Sequence, residues 1–431
     1  MTSPRTFTEY FEPTINPNLS KMMETKQCLS ADDYGQEVGC RGSGVPPRFT
    51  CGVNTRGLSA GRRIGCMSLV VLMTFMTSVN GGQMLYVSAS TDRAIFAYSV
   101  NQETGELDFK SKAELPAPSG EMAFSPGNKF LYVAVDSGDD SRIATLRRTA
   151  EGLLSLRDTA TIGGRPCYLR TDHTGRYLLI ADYSGGTVSV LRIVDGFCTG
   201  ELVDHHKTER TAHCVELDPS GRFAFVPHVK PNKVYQYFFD ANLGTLTPND
   251  PPFVVGPDKN HKFHEPRHYA HHPTLNVAYT SNEFGGGITA WKFNPQTGTL
   301  TRWKTLSTLD PAASGDFYAA DIKLTPNGRF AYVSNRDQTE RPEGAKTYDS
   351  LAGFSLDPST GMMTLIGHVP TPNQTRSLCI DRSGRFLYSA GTNSSTLFAY
   401  RIDQKTGTLE KCAIYETGKT PTWLVCANVS N

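Results

Sequence analysis

The sequence predicts an all-β protein, a seven-bladed β-propeller closed by pairing of the C-terminal strand with the N-terminal blade. Three observations predict it. A Gly-Leu corner recurs seven times, a turn-plus-strand element recurs beside it, and the two ends of the array are incomplete in complementary ways.

The corner reads ETGEL at 103–107, AEGLL at 150–154, CTGEL at 198–202, NLGTL at 242–246, QTGTL at 296–300, STGMM at 359–363 and KTGTL at 405–409. Successive corner glycines lie 44 to 63 residues apart, which suits a four-stranded antiparallel unit with loops of varying length. The second element is a turn, glycine-containing in all copies but 272–283, followed by a β-branched and aromatic run. It appears as SPGNKFLYVA (125–134), DHTGRYLLIAD (172–182), DPSGRFAFVPH (218–228), HPTLNVAYTSNE (272–283), TPNGRFAYVSNR (325–336) and DRSGRFLYSAG (381–391). Glycine supplies the positive φ of a hairpin turn, and the alternation after it marks a strand with one buried face. A seventh copy, MLYVSAS at 84–90, lacks its preceding strand, while TPTWLVCA at 420–427 lacks its followers. Joining the two completes the ring.

Composition agrees. Of 431 residues, 39 are Gly and 26 Pro, and 10% are aromatic, which favours short strands and many turns over long helices. The formal net charge of +1 gives no reason to expect nucleic acid or an anionic membrane as partner, so any anion recognition must be local. The ten Cys form no CxxC pair and no zinc-like spacing, and the six in the body read as small apolar residues of a reduced compartment. His205-His206 and His271-His272 make poor chelates, because neighbours on a strand face opposite ways. No metal and no cofactor are expected. GGG at 285–287 precedes a strand, not a helix.

Residues 1–82 are expected to be a disordered or wrongly extended leader, with 83–431 the propeller. Within the leader, 62–82 is signal-like: Arg62-Arg63 precede the apolar run CMSLVVLMTFM, which is too short for a membrane span of roughly 20 residues. Its place, far from Met1, speaks against a signal peptide. The expected location is cytoplasmic, with export the alternative if 62–82 acts as a signal.

In each blade the innermost strand leads into the turn and the next strand runs back. The start of the first and the end of the second therefore share one rim. His213 opens an inner strand and His228 closes its partner; Arg267 and His268 open another, closed by Glu283; Asp321 opens a third, closed by Arg336. Arg376 opens the next, with Trp423 in the closing strand and Asp182-Tyr183 ending a strand elsewhere. Taken singly, each has an ordinary explanation as a turn or cap residue. Asp172, Asp218 and Asp381, inside the turns, are assigned that role. Three His, three Arg and two acids converging on one channel mouth are another matter, because packing gives no reason to load a mouth with arginine.

From Met84 to the end, across all seven blades, the chain resembles the propeller-type lactonases, most closely the bacterial 6-phosphogluconolactonases. The resemblance rests on H-x-x-x-x-x-P at 213–219, PRH at 266–268, NE at 282–283, AADI at 319–322, Arg336 and P-x-W at 421–423. It implies His213, Arg267, His268, Glu283, Asp321 and Arg336 as mouth residues. There are departures: Glu265 stands where Gly is usual, Thr375 replaces Pro, His228 occupies an often apolar or acidic position, and 337–350 lengthens a rim loop. The expected reaction is metal-independent hydrolysis of a phosphorylated sugar δ-lactone. His213, Arg267, His268 and Glu283 would be catalytic, with Glu283 or His213 the base and Arg267 and His268 stabilising the oxyanion. Asp321, Arg336, Arg376 and His228 would bind substrate, the two arginines at the phosphate. The alternatives are a carboxymuconate-type lactonizing or lactone-opening enzyme and a non-catalytic exported scaffold.

Overall fold

The structure, a computed structural model, describes residues 82–429 except 137, 139, 140, 261 and 343. The leader and its signal-like segment lie outside the described residues, apart from Gly82. No helix among the described residues is long and apolar enough to cross a membrane.

The fold begins in the turns. In DPSGRF, Asp218 Oδ1 accepts the amides of Arg222 and Phe223, both at 2.9 Å, and Oδ2 accepts the amide of Ser220 at 3.0 Å. Asp172 and Asp381 hold their own turns in the same way. Each turn joins two antiparallel strands; six such hairpins extend into four-stranded blades, and pairing of the two chain ends supplies the seventh. Blade 1 carries Gln83–Ala89, Ala94–Val100 and Leu107–Glu114, and its inner strand is Pro421–Asn428. The inner strands of blades 2 to 7 are Ser119–Phe124, Pro166–Thr171, Glu216–Leu217, His264–His271, Phe317–Leu324 and Thr375–Ile380. The predicted closure is present: Gln83 pairs with Asn428 and Val87 with Leu424, so the two chain ends complete one sheet.

The Gly-Leu corners stitch neighbouring blades. Tyr279 of blade 5 donates its hydroxyl to the carbonyl of Gly361 in blade 6 at 2.6 Å. The same bond joins Tyr86 to Gly152, Tyr332 to Gly407 and, across the closure, Tyr388 to Gly105. These tyrosines are fully buried between sheets, so the bond satisfies a hydroxyl that burial would otherwise leave unpaired. Gly361 has φ +76, and a Cβ there would lie 2.8 Å from the Tyr279 hydroxyl. Only glycine suits both demands.

Near its start, every inner strand carries one extra residue. Pro266 pairs with Asn282 and Tyr269 with Thr280, so Arg267 and His268 together oppose Ser281 alone. The same slip sets Gly120-Glu121 against Ala134 and Ala320-Asp321 against Ser334. It recurs after Pro166, between Ala212 and Glu216, after Thr375 and at Thr422. A bulge lets consecutive residues share a face that strict alternation would deny to one of them. The amide freed by the bulge finds a serine on the opposing residue: His268 N donates to Ser281 Oγ at 3.2 Å, and Asp321 N to Ser334 Oγ at 3.1 Å.

Candidate active site

Aligned on the bulge, the inner strands form two rings of side chains. Gly120, Cys167, His213, Arg267, Ala320, Arg376 and Thr422 make the first. Glu121, Tyr168, Cys214, His268, Asp321, Ser377 and Trp423 make the second. Blades 1, 3 and 5 are not neighbours, yet the rings of Tyr168, His268 and Trp423 lie 5.2 to 5.8 Å apart. The second ring therefore meets at the axis and is plugged by aromatic groups. His213 packs edge-on to His268, at 5.3 Å, and to Tyr183, at 5.4 Å.

Strand ends supply the remaining charges. Glu283, Arg336 and Tyr183 each lie one residue beyond the last pair of their hairpins, Asn282–Gly287, Asn335–Ser350 and Asp182–Thr187. Glu283 is the hub: its Oε1 lies 2.5 Å from Arg336 Nη2 and 3.5 Å from Arg267 Nε. Burial alone would raise the Glu283 carboxyl, but Arg267, Arg336 and Arg376 outweigh it and hold the group below its usual range. Glu283 is thus a carboxylate clamped by cations.

Arg267 is 1% exposed. One of its Nη1 hydrogens points to His268 Nε2 at 3.1 Å. A guanidinium only donates, so Nε2 accepts, and the His268 proton sits on Nδ1, where it is given to Asp321 Oδ1 at 2.8 Å. Burial, then the Arg267 charge, pulls His268 down to about 3, so the imidazole is neutral. The expectation is of an oxyanion donor; in the structure both ring nitrogens of His268 are engaged by the protein, Nε2 by Arg267 and Nδ1 by Asp321.

Asp321 and His228 also lie in surroundings other than the expected substrate contact. Asp321 is fully buried, its Oδ1 accepting from His268, Lys323 Nζ (3.0 Å) and its neighbour Ile322 N (2.9 Å), and its Oδ2 from Leu378 N (2.8 Å). Both carboxylate oxygens are already engaged by the protein. His228 pairs with Lys233 and so occupies the place of Asn282 and Asn335, one residue short of Glu283 and Arg336. On a strand one residue is one face. His228 accordingly turns away, with Nε2 on Thr208 Oγ1 at 2.7 Å, Nδ1 on the Val226 carbonyl at 2.9 Å and its ring against Tyr235. His213, Arg267, Glu283 and Arg336 are brought together; Arg376 is partly exposed, and its charge is felt at His213, Arg267, Glu283 and Arg336.

The cluster carries unmet hydrogen-bonding capacity. His213 Nδ1, Arg267 Nε and Arg336 Nε are buried without a hydrogen-bond partner. Burial, reinforced by Arg267, His268 and Arg376, holds His213 well below the ordinary histidine value, so it is neutral and unprotonated. Glu265, where the resemblance expects Gly, has φ +70 and sends its carboxylate to within 3.5 Å of Lys230. Sequence reasoning missed Tyr168, Lys323 and Glu121. Counting four residues back from Ser125, Asp172 and Thr325 finds Glu121 and Tyr168 in the places of His268 and Asp321, a signal present in the repeat itself.

This fold and this cluster define a class. Residues 80–426 match the model of the seven-bladed β-propeller lactonase family, and the chain belongs to that family, an enzyme class that hydrolyses lactones. It is similar to proteins named 6-phosphogluconolactonase from Pectobacterium carotovorum, 31% identical over 344 residues covering 79% of this chain and 98% of the relative, and from Serratia proteamaculans, 31% identical over 342 residues with the same coverage. Among solved structures, a Lactobacillus plantarum protein superposes with a TM-score of 0.71 at 22% identity, covering 81% of this chain and all of that one. A Pseudomonas aeruginosa periplasmic gluconolactonase superposes with a TM-score of 0.69 at 23% identity, covering 81% and 99%.

Proposed function

We propose that the chain opens a sugar δ-lactone at this cluster by metal-independent hydrolysis, with 6-phosphogluconolactone the foremost substrate and 6-phosphogluconate the product. The observation that carries the reading is the set of buried nitrogens on His213, Arg267 and Arg336 that lack a hydrogen-bond partner, around one clamped carboxylate. Such groups are costly unless a ligand rich in oxygen completes them. The names of the curated relatives support the phosphorylated substrate.

In this reading a water attacks the lactone carbonyl and gives its proton to His213. His213 suits the role better than Glu283, whose basicity is suppressed by Arg267 and Arg336. An anionic substrate beside His213 raises its proton affinity toward neutrality. Arg267, aimed by His268 and Asp321, faces the developing oxyanion, and Glu283 fixes the two guanidinium planes. Arg376, the more exposed arginine, takes the phosphate. The partner is then a small molecule, not nucleic acid or membrane. The site of action is the cytoplasm, with export the alternative if 62–82 acts as a signal.

The test is hydrolysis by residues 80–431, without added metal, of 6-phosphogluconolactone and gluconolactone, using wild type, His213→Asn and Glu283→Gln. The expected result is a strong preference for the phosphorylated lactone. His213→Asn is expected to lower kcat by roughly 10²–10⁴-fold, as for loss of a general base. Near-normal turnover by His213→Asn with collapse of Glu283→Gln would move the base to Glu283. Opening of carboxylated muconolactones in preference to both sugar lactones would overturn the substrate.

A further inference from the structure

Most of the second ring is committed to other protein groups. His268 and Asp321 bond each other, Tyr168 donates to Glu216 at 2.6 Å, and Ser377 Oγ accepts the amide of Leu424 at 3.1 Å. Glu121 is the ring's carboxyl outside these bonds. It is partly exposed, and among the described residues it makes no hydrogen bond or ion pair to another side chain. Its bulge is the same as that which turns Arg267 and His268 inward, so it stands in the ring that converges on the axis.

The titratable groups around it are few. Arg376 of blade 7 and Arg267 of blade 5 act on it from across the ring, Asp136 acts from its own blade, and Cys167 flanks it on blade 3. Burial outweighs the pull of the two arginines and favours the protonated carboxyl. Glu283 and Glu121 are therefore two carboxyl groups pushed apart. One is held as an anion by arginines, the other is shifted toward its protonated form by burial, and both feel the Arg376 charge.

Lactone opening needs such an acid. The ring oxygen leaves as an alkoxide unless something protonates it, and Glu121 is a carboxyl of the ring that no other side chain among the described residues engages. We propose that Glu121 is the proton donor to the leaving ring oxygen, a proposal that rests on the lactone-hydrolysis reading. Water forms the new C–O bond and His213 takes its proton. As the tetrahedral intermediate collapses, the carbonyl reforms and the ring C–O bond breaks. Its electron pair stays on the ring oxygen, which takes the proton of Glu121. The imidazolium of His213 then returns a proton to the Glu121 carboxylate through solvent. The new carboxylic acid ionises as product departs.

The experiment compares wild type with Glu121→Gln on 6-phosphogluconolactone, whose leaving group is an alkoxide, and on dihydrocoumarin, whose phenoxide leaves without help. Thermal unfolding of the two proteins is followed to show equal folding. Expected is a fall in kcat of about 100-fold or more on the sugar lactone, with a loss under about 10-fold on the aryl lactone. The wild-type kcat profile on the sugar lactone is expected to fall at high pH as Glu121 loses its proton, and this limb is expected to vanish in the variant. Equal losses on both lactones, an unchanged kcat on the sugar lactone, or persistence of the alkaline limb would each overturn the assignment. If the wild type leaves dihydrocoumarin intact, the alkaline limb decides alone. A wild type inactive on every lactone would instead remove the reaction, and this step with it.

Discussion

At the scale of single residues, the site is ordered by who holds whom. Lys323 and the Leu378 amide fix Asp321, Asp321 fixes the proton of His268, and His268 fixes Arg267. These four side chains are tied to one another before substrate arrives, so little reorganisation of this chain is left for the reaction. His228 shows what the same residue type does one position away. Its folded value is about 4 against 6.5 in the unfolded chain, chiefly through burial. Between those values the unfolded chain binds the extra proton. The stability due to neutral His228 is thus complete above pH 6.5 and is lost as pH falls through 4, on the order of 3 kcal/mol in all. Melting temperature measured from pH 7 to pH 4 should fall less steeply in His228→Gln than in wild type; identical slopes would show that His228 does not contribute. The mouth residues could be picked out because their types are unusual at strand ends. The His228 misplacement could not be seen, because registering a strand end to one residue needs its partner, Lys233.

At the scale of elements, the corner glycines and the bulges do different work. A corner glycine is readable in sequence because a positive φ selects one residue type and repeats it at each blade. Gly361→Ala adds both left-handed strain, about 1–2 kcal/mol, and a methyl 2.8 Å from the Tyr279 hydroxyl. Gly127 has φ +77 but open space around it, so Gly127→Ala carries the strain alone. Urea unfolding should show the larger loss for Gly361→Ala, and equal losses would mean that the interblade tyrosine bond yields freely. The bulges left no comparable mark. Gly-Glu, Arg-His, Ala-Asp and Cys-Tyr all fill them, because a bulge asks for an extra residue and not for a particular one. Only pairing across the sheet shows that Arg267 and His268 face the same way.

At the scale of the whole molecule, closure is what makes the second ring complete. The strand that seals blade 1 carries Trp423, which packs on Tyr168 and His268 at the axis, and Leu424, buried against blades 1 and 7. Removing 421–431 leaves Gln83–Ala89 without its inner partner and opens the apolar faces on both sides. The shortened chain should lose the single cooperative transition of the intact ring, measured by calorimetry, together with lactone hydrolysis. A truncated protein that melts like the full chain would show that the remaining blades stand without the clasp. The sequence by itself determined the blade count, the closure and the identity of most charged groups near the axis, because period, turn chemistry and incomplete ends are written in residue types. The tertiary structure alone decided which of those groups are already spent on each other and which keep unmet bonds, since that depends on a one-residue bulge in every inner strand and on contacts between blades far apart in the chain.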